Sequence, residues 1–225
     1  MKVELTPFEA RVIGCLIEKE LTTPDQYPLS LNALTLAVNQ KTNREPVMAV
    51  DDASVQAELD RLAKKHLVYE KSGFGSRVMK YQHRLVGTEF SEIKVTPQER
   101  GILCVMLLRG PQTVAELRTR TNRLCEFADL AEVEAVLNQM MTRDSNPLVV
   151  RLSRSKGERE LRYMHLLSGP VVVLADTEFV VSEPSMPAPR AAPRAAEEPG
   201  LAVRVASLER EVQALKSELA ALRGS

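Results

Sequence analysis

Only three cysteines, Cys15, Cys104 and Cys125, occur in 225 residues. An odd count with no CxxC spacing and no Cys/His cluster excludes a disulfide framework and a zinc site, so the three read as small residues in helix cores. An excess of one charge is also missing. Thirty Lys and Arg balance thirty Asp and Glu, which rules out an overall pull toward polyanions. No apolar run approaches the ~20 residues that a membrane-spanning helix needs. The start, Met1-Lys2-Val3-Glu4-Leu5-Thr6-Pro7, has neither the charged opening nor the apolar stretch of a secretory signal, so the expected location is cytoplasmic, with no membrane partner. No Gly-rich phosphate loop, paired-acid signature or Ser/Cys nucleophile with a base and orienting acid is found, and the expectation is a non-enzymatic protein without cofactor or metal.

What is present is an internal repeat. Thr6-Pro7-Phe8-Glu9 recurs as Thr96-Pro97-Gln98-Glu99, Lys41-Thr42-Asn43-Arg44 as Arg120-Thr121-Asn122-Arg123, and Lys80-Tyr81-Gln82-His83-Arg84-Leu85 as Arg162-Tyr163-Met164-His165-Leu166-Leu167, in the same order. The first pair has Thr at a helix cap, Pro at the first helical position and a capping Glu. In the first half, apolar stripes predict three helices: Phe8, Val12, Ile13, Leu16 and Ile17; Leu31, Leu34, Ala37 and Val38; Val55, Leu59, Leu62 and Ala63. The period then changes, and 67–71 and 78–85 read as strands joined by the glycine-rich Ser72-Gly73-Phe74-Gly75-Ser76. The second half repeats this with helices over 97–108, 113–120 and 129–141 and strands over 148–152 and 161–167, turning at Ser155-Lys156-Gly157-Glu158. The fold class is therefore mainly α with small β-hairpins (α+β), built as two tandem winged-helix domains, 1–88 and 89–169.

Residues 170–200 hold a Pro- and Ala-rich stretch that cannot build a core and read as a linker. A coiled-coil helix is expected over 201–223. Leu201, Val205, Leu208, Val212, Leu215, Leu219 and Leu222 alternate spacings of four and three, with Leu at every d position and Val, Val and Leu at a. In a parallel pair Arg204 faces Glu209, Glu211 faces Lys216 and Glu218 faces Arg223, all attractive. A homodimer through this segment is the expectation. Removing residues 200–225 should halve the mass measured by light scattering; an unchanged mass would sink the idea.

The segments Thr22-Thr23-Pro24-Asp25-Gln26-Tyr27-Pro28-Leu29-Ser30-Leu31-Asn32-Ala33-Leu34 and Asn39-Gln40-Lys41-Thr42-Asn43-Arg44-Glu45-Pro46-Val47-Met48 resemble the bacterial YceH-like family. The resemblance spans about residues 3–168. It implies a tandem winged-helix fold and brings no established activity with it.

Charge is uneven along the chain although its sum is zero. Arg61, Lys64, Lys65, Lys71, Arg77, Lys80 and Arg84 crowd the end of the third helix and the first hairpin, with Glu70 the only acid among them. In the second hairpin Arg151, Arg154, Lys156, Arg159 and Arg162 stand against Glu158 and Glu160. Basic hairpins of this kind straddle phosphates. Phe74 at the first tip is either a wedge or an incidental loop aromatic. The third helices suit base reading poorly, because the first opens Asp51-Asp52 and the second carries Glu132 and Glu134 with no Lys or Arg. Lys41 and Arg44 either share a phosphate ligand with their repeats or share a structural task, with Arg44 on an acid such as Glu45. The Tyr-x-His pairs point to one strand face and read as core. Two functions stand from the residues alone: a dimeric DNA-binding regulator or nucleoid-associated protein, and a protein-binding scaffold. The latter is analogous in fold to segregation and condensation protein B.

Overall fold

The computed structural model describes residues 3–72, 78–87, 91, 93–144, 146–153 and 160–169. The elements are α1 (Pro7–Thr22), β1 (Leu29–Ser30), α2 (Leu31–Val38), α3 (Asp52–Lys64), β2 (Val68–Ser72), β3 (Met79–His83), α4 (Pro97–Arg109), α5 (Val114–Arg120), α6 (Leu130–Met141), β4 (Val149–Arg151) and β5 (Tyr163–His165). The chain is thus α+β, with three helices and a hairpin occurring twice. The linker and the heptads of 201–223 lie outside the described residues.

The repeated Thr-Pro-x-Glu segments start α1 and α4 by one device. Thr6 and Thr96 accept from the amides of Glu9 and Glu99, and each Glu side chain returns a bond to the Thr amide. Each such box satisfies two amides that a helix start leaves unpaired. The same glutamates are also held from the far end of the third helix. Lys65 reaches Glu9 at 2.7 Å and Arg143 reaches Glu99 at 2.8 Å. These ties fix the start of the first helix to the end of the third in both halves.

The first sheet is antiparallel in the order β1-β3-β2, with Leu29 opposite Tyr81. In the second half Gln112 bridges Tyr163 in the same manner, through two backbone bonds of 3.0 and 2.8 Å. The repeat therefore includes a third short pairing at each hairpin, one that two residues are too few to announce by alternation.

Both halves share one apolar core, and the seam is α1 against α4. Residues Ile102 to Leu108 of α4 are all buried, and a helix apolar all round must be covered on every side. At the crossing, a Cβ on Gly14 would come 2.9 Å from Leu108, so glycine lets the two backbones approach. The amide of Leu5 donates to the carbonyl of Leu167 at 2.7 Å, tying the first half to the end of the second. Cys15 and Cys104 sit fully buried in this seam, and burial pushes the Cys15 thiol up to about 11. A thiol so held stays protonated and behaves as a core residue.

Candidate nucleic-acid interface

Alternation along the first hairpin sorts its side chains. Tyr81 and His83 point into the core, 4% and 1% exposed, while Lys80 and Gln82 face outward beside their partners Lys71 and Tyr69. Register puts Lys71 directly opposite Lys80 and Tyr69 opposite Gln82. Opposed residues hold their Cβ atoms about 5 Å apart, and like charges there repel. An anion between two lysines relieves that repulsion, whereas a neutral surface does not. Tyr69 is 51% exposed and supplies an aromatic face beside them.

Other predicted phosphate contacts are placed less uniformly. Arg61 and Lys64 are exposed at the end of α3, although Arg61 pairs with the buried Glu58. Lys65 is occupied by Glu9, Arg84 is half-buried, and Arg151 is exposed on β4. Arg77, Arg154, Lys156, Arg159 and Phe74 lie outside the described residues. On the solvent side of α6 stand Leu130, Glu134, Asn138 and Gln139 without a base, and α3 opens with its Asp51 cap accepting from Ser54.

Lys41 and Arg44 part company. Lys41 is exposed in the loop between α2 and α3, whose ends are clamped by two bonds between the Asn39 side chain and the Val50 backbone, 2.7 and 2.9 Å. Arg44 instead turns inward, its side chain fully buried against Glu18 with bonds of 3.1 and 2.5 Å. Its Nε donates to the Ala37 carbonyl at 3.0 Å. Arg44 therefore presents no charge to an outside phosphate. Its repeat partner Arg123 comes from the second half to the same carboxylate. The two recurring Asn-Arg segments thus meet on Glu18, and the shared task is structural. Burial alone raises a carboxyl pKa, but the Arg44 bonds and the charges of Arg44, Arg123 and Lys19 outweigh it and hold Glu18 below the ordinary range. The carboxylate expected for Arg44 was an adjacent one such as Glu45; the actual partner is 26 residues away.

The Tyr-x-His pairs are core groups in both halves, with Tyr163 8% and His165 2% exposed. His83 Nε2 lies 2.9 Å from Glu20, which also takes Arg100 of the second half at 3.3 Å. His165 has no such acid among the described residues, and burial lowers its pKa to about 4. No helix among the described residues is long and apolar enough to cross a membrane.

Residues 5–158 match the family described as "Protein of unknown function, DUF480". A UPF0502 protein of Vibrio parahaemolyticus is 55% identical over 223 residues, covering 99% of this chain and 96% of its own. A UPF0502 protein of Pectobacterium carotovorum is 50% identical over 222 residues, covering 99% of both. Another, from Vibrio campbellii, is 62% identical over 173 residues, covering 77% of this chain and 80% of its own.

Proposed function

The chain belongs to the bacterial DUF480 (UPF0502) family, and from that premise we propose that it is a DNA-binding protein, a transcriptional or nucleoid-associated regulator. In this reading the two repeats are winged-helix modules, and two chains pair through the heptads of 201–223. The hairpins are wings that lie along the phosphate backbone. The outward pair Lys71 and Lys80, opposed across β2 and β3, carries the proposal, because two lysines in register favour an anion between or across them. Lys64 and Arg61 extend the same positive surface. Affinity then comes from phosphates more than from base edges, since neither third helix offers a basic reading face.

The test is fluorescence anisotropy with a genomic duplex at several salt concentrations. Lys71→Glu with Lys80→Glu should weaken binding at least ~10-fold and lower the slope of log affinity against log salt by about 2, one for each lost phosphate contact. Equal affinity and equal slopes in variant and parent would overturn the assignment of this surface.

A second reading, a scaffold that binds protein, draws on the apolar side chains left outside. Leu36 is 66%, Val47 56% and Leu130 49% exposed. Absence of any duplex binding at low salt would favour it.

A further inference from the structure

The junction between the halves holds more guanidinium than its carboxylates neutralise. Glu18 serves both Arg44 and Arg123, and Glu116 serves both Arg120 and Arg162. Arg109, at the end of α4, makes no ion pair among the described residues. Among the described residues its Nη1 reaches only the Asn43 amide oxygen, at 3.3 Å, and its buried Nε has no hydrogen-bond partner. Behind it Arg11 is 3% exposed and rests on the carbonyls of Pro46 and Leu108, also without an acid. The charges of Glu45 and Glu116 act in its favour, but burial together with the Arg120 charge still leaves the Arg109 pKa lowered. Positive charge taken partly out of water without counter-charge is costly.

Arg109, Arg120, Arg123 and Asn43 line one cleft, floored by Glu18 and Leu124. The enclosed space is only about 10 Å³, room for about one water, and the cleft opens to solvent, so an anion sits across its mouth against the guanidinium ends and a nucleoside finds no enclosed pocket. We propose that this cleft binds a phosphate group, held by Arg109 and Arg120 with Arg123 at its edge, and that the bound anion locks the two halves at their junction. Phosphate fits better than a carboxylate because its two charges answer an excess larger than one, and planar guanidinium forks match its oxygens. The site stands independently of DNA binding by the hairpin.

The experiment is heat unfolding of the full chain with inorganic phosphate replacing chloride at constant ionic strength, for the parent, Arg109→Gln and Arg120→Gln. A ligand that binds only the folded state raises the melting temperature with concentration. The parent should show a saturable rise with a midpoint below ~1 mM, shifted at least ~10-fold in each variant, since one charge-assisted contact is worth about a factor of ten or more. Arg120 is partly exposed, so Arg120→Gln keeps the test open if Arg109→Gln does not fold. No saturable rise in the parent, or the same midpoint in the variants that fold, overturns the site. Duplex DNA titrated into phosphate-saturated protein identifies the source: unchanged DNA affinity marks a free anion, and lowered affinity marks the DNA backbone as the occupant.

Discussion

Glu18→Gln should lower the free energy of unfolding by about 3–5 kcal/mol, the usual loss when one partner of a buried ion pair is removed. The Arg44 guanidinium would stay fully buried beside a neutral amide, and Arg123 would lose its anchor. In urea melts the midpoint should fall sharply, and in heat unfolding by on the order of 10 °C for a chain of this size. Two companions separate burial from mere pairing. Arg123→Gln should cost under ~1 kcal/mol, because that side chain is 41% exposed and water screens it. Glu18→Leu combined with Arg44→Met should recover much of the loss, since neither charge then needs compensation. A Glu18→Gln variant within ~1 kcal/mol of the parent would refute the role given to this carboxylate.

The second large effect is acid sensitivity at His165. The ring is buried with no acid partner among the described residues, and its folded pKa is about 4, below the ordinary 6.5, because burial penalises the charged form. The unfolded chain takes up the proton first as pH falls. The stabilisation is therefore complete above pH ~6.5 and declines down to about 4, by roughly 3 kcal/mol at 1.36 kcal/mol per unit. Between pH 6.5 and 5, above the range where most carboxylates titrate, the parent should lose about 2 kcal/mol that His165→Gln does not lose. Urea unfolding of both proteins at the two pH values measures this directly. Parallel pH dependences would show that His165 is not the group responsible.

Much of the fold is legible in the sequence. The Thr-Pro-x-Glu repeats place the starts of α1 and α4, and the structure carries both capping boxes. The three apolar stripes and the switch to period two locate α1, α2, α3 and the first hairpin. Such signals are local, so a few neighbouring residues contain them. The site was less legible. Lys71 and Lys80 were recognisable as basic, but their opposition depends on a register set across the hairpin. Arg44 and Arg123 were visible as repeats and not as partners, because their common carboxylate lies 26 and 105 residues away.

By itself the sequence determined the repeated order of three helices and a hairpin, the caps that start the first helix of each half, and the excess of base near each hairpin. Those follow from side-chain period, capping chemistry and composition. Only the tertiary structure decided which bases remain available to a ligand and which are consumed inside. The core is shared along α1 and α4 because the stretch Ile102 to Leu108 of α4 has no polar side to leave in water. Once the halves close on each other, Arg44 is turned from a surface candidate into the buried mate of Glu18, while Arg109 is left at the junction with no ion pair among the described residues. Through-space pairing in a desolvated interface sets those fates, and no spacing along the chain encodes it.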